Sequence, residues 1–185
     1  MANLLAVTAS PSPTSRTAAV TDHVADRLRG HGHQVQVLPL RTLPAAALLA
    51  ADRRDPEIAA ANAALAQADG VIVATPIYKA AYSGLLKVWL DQLNQDALTG
   101  KAVLPLATGG SLAHVLAIDY GLRPVLASMG ARHIVPGWFL LDQWVRVGEA
   151  QLLSEGADEG LHRCLDAFRD SLSPVATPLV DLVVA

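Results

Sequence analysis

The sequence lacks features that are typical of disulfide-bonded, secreted and membrane-spanning proteins. Its single cysteine, Cys164, has no partner for an internal disulfide. The first ten residues lack the basic start of a secretory signal peptide, so we expect a cytoplasmic protein. No apolar run approaches the roughly 18 to 20 uninterrupted residues of a membrane span. The sequence therefore predicts a soluble protein in a reducing compartment.

The charges are nearly balanced and are not clustered. Fourteen basic residues stand against 17 acidic ones, and the net charge is −3. Nucleic acids and anionic membranes attract clustered basic residues, so neither class of partner is expected. The hydrophobic content, 52% of 185 residues, is enough to fill one core. We expect a single domain at residues 1–172, followed by a carboxy-terminal tail at 173–185.

Short apolar runs alternate with amphipathic stretches along the chain. Each apolar run predicts a strand, and each stretch with apolar residues three or four positions apart predicts a helix. The five predicted strands are residues 3–10, 34–40, 70–76, 101–110 and 132–139. The five predicted helices are residues 15–31, 56–68, 83–94, 112–130 and 157–172. Strict alternation predicts a five-stranded, parallel, doubly wound α/β sheet with helices on both faces.

Ligands of such sheets bind outside the carboxyl ends of the strands, which selects three loops. The first loop belongs to "TASPSPTSRT", residues 8–17. Hydroxyls and free amides at a helix start, beside one guanidinium, suit a phosphate monoester. Ordinary capping of the helix by Ser15 would explain the same composition. The candidate phosphate ligands are Ser10, Ser12, Ser15, Arg16 and Thr17.

The other two loops offer groups for a flat ring. Pro76, Ile77 and Tyr78 would form an apolar, partly aromatic wall, although core packing is an alternative for the tyrosine. Gly109 and Gly110 would let backbone amides approach a ligand edge, or would simply form a turn. Polar groups near these glycines come from Thr108, Ser111 and His114, the last of which could equally be structural.

Two common nucleotide motifs do not occur in the sequence. There is no G-x-x-x-x-G-K-[ST] for a triphosphate with magnesium and no G-x-G-x-x-G for a Rossmann pyrophosphate site, and we expect no metal site. A phosphate pocket, an aromatic wall and a glycine edge together describe a mononucleotide with a flat ring. Flavin mononucleotide, FMN, fits this description best.

The sequence resembles the flavodoxin-like NADPH-dependent FMN reductases, and most of all those of two-component alkanesulfonate monooxygenase systems. The stretches that carry the resemblance are "TPIYKAAYSGLLK" (75–87), "LTGKAVLPLATGGSLAH" (98–114) and "LAIDYGLRPVL" (116–126). The resemblance implies a flavodoxin-like fold and hydride transfer from NADPH, or NADH, to flavin N5. It also implies that reduced FMN passes to a partner flavin-dependent monooxygenase.

The resemblance also assigns places to individual residues. The family's phosphate loop, a pattern like G-S-P-R-x-x-S-x-S, aligns with residues 9–17, where Ala9 replaces the glycine and Ser12 the arginine. The lost arginine bears on flavin affinity or on preference for the extra phosphate of NADPH. Pro76, Ile77, Tyr78 and Lys79 match the segment beside the isoalloxazine, and residues 108–111 with His114 match the segment at its pyrimidine edge.

A proline interrupts the last helix of the resembling region. Pro124 lacks an N–H, and its ring clashes with the carbonyl of Tyr120 at i−4. A wide π-helical turn at Tyr120 and Gly121, or a plain proline kink, would relieve this clash. In the sulfonate branch, a tyrosine here marks a π-helix at the tetramer interface, near a neighbouring subunit's flavin. The resemblance thus implies a homo-oligomer, a dimer or tetramer, in which Tyr120 takes part in exchange of loosely held FMN.

Three other functions stay open on the sequence. An FMN-retaining reductase of quinones, azo dyes or metal oxyanions would share the fold and most of the site. An electron carrier of the flavodoxin type would lack a nicotinamide site, and such carriers are usually strongly acidic, unlike this chain. An interaction module without flavin would be consistent with the changes at Ala9 and Ser12.

Overall fold

A computed structural model describes residues 1–131 and 133–172 of the chain. The strands are β1 (Asn3–Thr8), β2 (Gln34–Pro39), β3 (Gly70–Tyr78), β4 (Ala81–Tyr82), β5 (Ala102–Gly109), β6 (His133–Ile134) and β7 (Trp138–Leu141). The α-helices are α1 (Arg16–Gly30), α2 (Ala45–Leu49), α3 (Pro56–Gln67), α4 (Gly84–Asp91), α5 (Arg123–Ser128) and α6 (Glu155–Ser171). Single 3₁₀ turns lie at Leu40–Thr42, Leu112–His114 and Asp142–Trp144, and a π-helix spans Ala117–Leu122.

The strands form a parallel sheet in the order β2, β1, β3, β5, with β6 and β7 both paired to the far side of β5. Short β4 pairs antiparallel with the end of β3 as a hairpin. This is the strand order 2-1-3-4-5 of flavodoxin-like sheets, in which β6 and β7 together take the fifth place. The predicted fold class, a five-stranded parallel doubly wound sheet, is therefore confirmed.

The predicted fifth strand, residues 132–139, is split and continues further than expected. Pro136 cannot donate a ladder hydrogen bond. At Gly137 the chain runs so close to β5 that an added Cβ would lie 2.7 Å from the carbonyl oxygen of Pro105. The strand resumes at Trp138 and ends only at Leu141. Arg132, the first residue of the predicted strand, lies outside the described residues.

The predicted helix at 112–130 is also wrong as a single element. A 3₁₀ turn, the π-helix and α5 divide it, and only Arg123–Ser128 is α-helical. The other four predicted helices correspond to α1, α3, α4 and α6. Local caps explain several of their starts: Ser15 Oγ accepts from the Ala18 amide at 3.0 Å, and Asp55 Oδ1 accepts from the Glu57 amide at 2.9 Å.

Both faces of the sheet are covered, as expected for parallel strands. On one face, alternate strand residues such as Leu5 and Val73 pack against α3, α4 and α5. On the other face, residues such as Ala6 and Leu104 pack against α1 and α6. This alternation of side chains leaves the strand ends as the places where the backbone and polar groups meet solvent.

No helix within residues 1–131 and 133–172 is long and apolar enough to cross a membrane. The predicted tail, residues 173–185, lies outside the described residues. The domain boundary at residue 172 stays a prediction.

Helix α6 contacts the sheet through a glycine. A Cβ at Gly160 would overlap the indole ring of Trp138 on β7. We expect Gly160→Ala to lower the free energy of unfolding by about 1 to 3 kcal/mol, because overpacking outweighs the gain in helix propensity. Urea denaturation measures the change.

The matched control is Gly156→Ala in the same helix, where an added Cβ meets nothing within 4 Å. This variant should be neutral or more stable by at most about 1 kcal/mol. Equal effects of the two substitutions would contradict the packing argument.

Candidate functional site

Three loops from neighbouring strands meet at one edge of the sheet. The pairing of Thr8 with Ala74, and of Pro76 with Thr108, places the carboxyl ends of β1, β3 and β5 side by side. A buried hydrogen bond of 2.7 Å joins the hydroxyls of Thr17, at the start of α1, and Thr108, at the end of β5. The first and third predicted loops are therefore in direct contact, as the topology rule requires.

The first loop turns a set of small polar groups toward the start of α1. Ser10 Oγ accepts from the Ser12 amide at 3.3 Å, and Ser15 caps the helix as predicted. Arg16 is exposed, and no carboxylate of the described residues lies within ion-pair distance of it. Thr17 is 1% exposed, and its hydroxyl is engaged in the hydrogen bond with Thr108.

Ala9 occupies a position where the resembling family has glycine, and its backbone conformation suits an alanine. Its φ is not positive, since the non-glycine residues with positive φ in the described chain are Ala51, Lys79 and Ala80. Its amide donates to the carbonyl of Ala74 at 2.9 Å, so the chain leaves β1 in a sheet-like conformation. An alanine therefore needs no conformational compensation here, and the Ser12 departure is the one that changes the loop's charge.

The second loop forms a strained hairpin rather than a simple strand-to-helix join. Pro76 and Ile77 are buried, whereas Tyr78 is 51% exposed beside the turn. The turn between β3 and β4 consists of Lys79, with φ 52°, and Ala80, with φ 64°. Two positive φ values are the mark of a type I′ turn, in which Asn-Gly is the preferred pair.

Lys87 does not point back to the first loop. Its ammonium donates to Asp91 Oδ2 at 2.7 Å, and this hydrogen bond raises the lysine pKa above its usual value. The pair joins residues one helical turn apart, a spacing at which opposite charges stabilise a helix.

The third loop contains two glycines in different surroundings. An added Cβ at Gly109 would lie 2.9 Å from the ring of Phe139, so this glycine lets β5 pack against β7. At Gly110, which is exposed, the nearest atom to such a Cβ is Asp142 Oδ2 at 3.7 Å. Ser111 caps the following turn by accepting from the Ala113 amide at 3.2 Å. The backbone at Gly110 is thus the open part of this edge.

The sequence analysis missed polar residues that lie at this edge. The sequence analysis did not include Asp142, because it predicted that the fifth strand ends at residue 139. The apolar run "WFLL" was the signal that the strand continues. Ser83 caps α4 by accepting from the Leu86 amide at 3.2 Å, and its hydroxyl also donates to the carbonyl of Ala9 at 2.8 Å. Such contacts between loops leave no pattern in the sequence.

Tyr120 lies in a π-helix, which settles the choice between a wide turn and a proline kink. The amide of Arg123 donates to the carbonyl of Ile118, five residues earlier. Tyr120 is 79% exposed. It borders an open, largely apolar hollow of about 500 Å³, whose lining residues are Ala80, Ala113, His114, Leu116, Ala117, Tyr120 and Gly121. Both the second and third loops therefore contribute to this hollow.

Another groove lies at the opposite edge of the sheet. A polar groove of about 360 Å³ lies at the amino ends of β1 and β2, opposite the three loops, and includes Asn3, Gln34 and Gln67. Within residues 1–131 and 133–172, no three His, Cys, Asp or Glu side chains are arranged to hold a metal ion.

The strand order defines a flavodoxin-like α/β protein, and comparison with known proteins supplies the family. The family model for NADPH-dependent FMN reductase matches residues 2–146. The chain belongs to this family.

Relatives and solved structures agree with this membership. An FMN reductase (NADPH) of Pseudomonas putida is 39% identical over 180 residues, covering 95% of this chain and 91% of the relative. An FMN reductase (NADPH) of Escherichia coli K12 is 44% identical over 142 residues, covering 77% and 74%. The crystal structure of an apo NADH:FMN oxidoreductase (EMOB) superposes with a TM-score of 0.88 at 44% identity, covering 96% of this chain and 92% of that one.

These findings confirm the enzyme class, an NAD(P)H:FMN oxidoreductase, with FMN and a nicotinamide nucleotide as its flavin and reductant. The carrier and the flavin-free module are therefore set aside. The roles of individual site residues remain predictions.

The strained turn at Lys79 and Ala80 has a measurable consequence. A non-glycine residue in the left-handed region costs about 1 to 2 kcal/mol. We expect Ala80→Gly to raise the free energy of unfolding by about 0.5 to 1 kcal/mol, since glycine's larger unfolded-state entropy offsets part of the relief. Chemical denaturation checks this.

Ala81→Gly is the control, because Ala81 is equally exposed but lies in β4 without positive φ. It should lower stability by about 0.5 to 1 kcal/mol. A loss of stability in both variants would show that the turn is not strained.

Proposed function

We propose that this enzyme treats FMN as an exchangeable substrate and hands the reduced flavin to a partner flavin-dependent monooxygenase of the sulfonate or sulfur assimilation type. The observation that carries the proposal is the π-helix with Tyr120 exposed beside the second and third loops. The resemblance of residues 75–126 to the alkanesulfonate branch supports the kind of partner. We further propose a cytoplasmic location, consistent with a single cysteine that is buried and unpaired.

The first loop is proposed to hold the FMN phosphate. Its free amides at the start of α1 and the guanidinium of Arg16, which has no carboxylate partner among the described residues, offer donors and positive charge to a phosphate. The hydroxyls of Ser10, Ser12 and Ser15 lie on the same loop, while Thr17 contributes its amide. One guanidinium, rather than two, is consistent with FMN that is bound and released.

The second and third loops are proposed to hold the ring. Pro76, Ile77, Tyr78 and Lys79 form one wall, and the edge opposite is built by Thr108, Gly109, Gly110, Ser111 and His114. The open backbone at Gly110 can approach the pyrimidine edge, where amides stabilise negative charge on a reduced ring. The carboxylate of Asp142, close to Gly110, is placed to accept from a ring N–H.

The reaction needs positioning more than acid or base chemistry. Hydride passes from nicotinamide C4 to flavin N5, and NAD(P)H thereby supplies both electrons while a proton from solvent completes the reduced flavin. The protein's part is to stack the two rings between Tyr78 and the Gly110 edge and to exclude water. We assign no side chain as a proton donor.

The names of the relatives include both NADPH and NADH, which supports the use of either nucleotide by this enzyme. An NADH-dependent FMN reductase SfnF of Pseudomonas fluorescens is 38% identical over 117 residues, and an SfnE of Pseudomonas putida is 33% identical over 140 residues. The site holds one phosphate-loop arginine, Arg16, and Ser12 where the family pattern has another. We therefore propose that preference between NADPH and NADH is weak.

The test of exchange is a visible spectrum of the purified protein, followed by NADPH oxidation with and without added FMN. We expect a colourless protein that oxidises NADPH only when FMN is supplied, since the walls of the hollow are open to solvent. A yellow protein that turns over a quinone or azo dye without added FMN would overturn exchange and establish an FMN-retaining reductase.

We also propose that the chain forms a homo-oligomer through the surface around the π-helix. Leu112, Val115, Leu116 and Tyr120 are large hydrophobic residues exposed on this one segment. Contiguous apolar surface of this kind is typical of an interface between subunits. Light scattering at micromolar concentration should give the mass of a dimer or tetramer, and Tyr120→Asp should shift it toward the monomer. A monomeric wild-type protein would contradict the proposal.

A further inference from the structure

Ser83 connects the second loop with the first through its hydroxyl and its amide. The hydroxyl donates to the Ala9 carbonyl at 2.8 Å and accepts from the Leu86 amide at 3.2 Å. The Ser83 amide donates to Thr75 Oγ1 at 2.9 Å, and that hydroxyl donates to the carbonyl of Pro76 at 3.0 Å. Ser83 is 2% exposed, so water does not compete for these bonds.

The bond to Ala9 fixes a peptide unit that belongs to the phosphate loop. The Ala9 carbonyl and the Ser10 amide share one planar peptide, and in the trans form they point in opposite directions. The described chain has no cis peptide bonds. A hydroxyl that holds the carbonyl therefore aims the Ser10 N–H away from Ser83.

The Ser10 amide has no acceptor among the described residues. Its neighbours do: the Ala9 amide donates to Ala74, and the Ser12 amide donates to Ser10 Oγ. A buried N–H without a partner is costly unless a ligand supplies the acceptor. Donation to the Ala9 carbonyl also polarises the same peptide, which strengthens its N–H as a donor.

We propose that Ser83 is a positioning residue for phosphate binding, which acts through the Ala9–Ser10 peptide and aims the Ser10 amide at the phosphate of FMN. Ser83 does not touch the flavin in this arrangement. The same residue reaches the ring wall through Thr75 and Pro76, so one buried serine sets the relative place of the phosphate and ring loops. The inference rests on the proposed function and deepens it.

If Ser83 acted only as a helix cap, its replacement would have a different effect on ligand binding. Loss of a cap weakens α4 and lowers stability without regard to the ligand's phosphate. Loss of an aimed amide weakens FMN and leaves riboflavin, which lacks the phosphate, nearly unaffected. The ratio of the two dissociation constants therefore separates the two roles.

The experiment measures Kd for FMN and for riboflavin by fluorescence quenching, together with Tm, in the wild-type protein and four variants. Ser83→Gly keeps an acceptable cap residue and removes the hydroxyl, and Ser83→Thr restores a hydroxyl. Asp55→Ala removes a comparable cap on α3, away from the loops. Arg16→Ala removes the proposed phosphate cation.

We expect Ser83→Gly to weaken FMN by about threefold to tenfold, the equivalent of one hydrogen bond, with riboflavin changed less than twofold. Ser83→Thr should recover most of the FMN affinity. Asp55→Ala should lower Tm with an unchanged ratio. An unchanged ratio in Ser83→Gly, while Arg16→Ala loses FMN selectively, would overturn the role of Ser83.

Failure of the proposed function gives a separate result. If the wild-type protein binds FMN no better than riboflavin, and Arg16→Ala changes neither, the first loop is not a phosphate site. If Ser83→Gly does not fold, Ser83→Cys takes its place, because a thiol of similar size hydrogen-bonds only weakly. A selective loss of FMN affinity in Ser83→Cys supports the hydroxyl's role, and an unchanged ratio contradicts it.

Discussion

The parallel pairing of β1, β3 and β5 is the constraint on which the rest of the site depends. Each strand is hydrogen-bonded to the next in a register that places the ends of all three at one edge. Hydrophobic side chains on both faces hold that register, because a shift by one residue would exchange the two faces of every strand. The register thus brings together three loops that are distant in sequence.

Buried hydroxyls then lock the loops to one another. Thr17 with Thr108 joins the first loop to the third, and Ser83 with Ala9 joins the second to the first. Polar groups in an apolar interior are costly unless paired, so these bonds are strongly preferred once the sheet has formed. The protein's own hydrogen bonds therefore fix the relative positions of the three loops.

The outer rim of the cleft consists of segments with irregular backbone conformation. The Lys79–Ala80 turn has unfavourable backbone angles, and the π-helix around Tyr120 has wider hydrogen bonding than an α-helix. Strain and irregular helices persist where the surrounding structure compensates for them, and they concentrate at functional sites. Exposed Tyr78 and Tyr120 lie at these two segments, so the rim near the second and third loops is more open than the buried hydrogen bonds of the first loop.

The sequence by itself determined the class of fold, four of the strands to within two residues at each end, the possible cap at Ser15, and the membership suggested by residues 75–126. These features depend on local periodicity, on turn chemistry or on contiguous motifs. Only the tertiary structure decided the break at Gly137, the approach of Asp142 to Gly110 and the second bond of Ser83. Each depends on the distance between segments far apart in the chain, and packing between elements sets that distance.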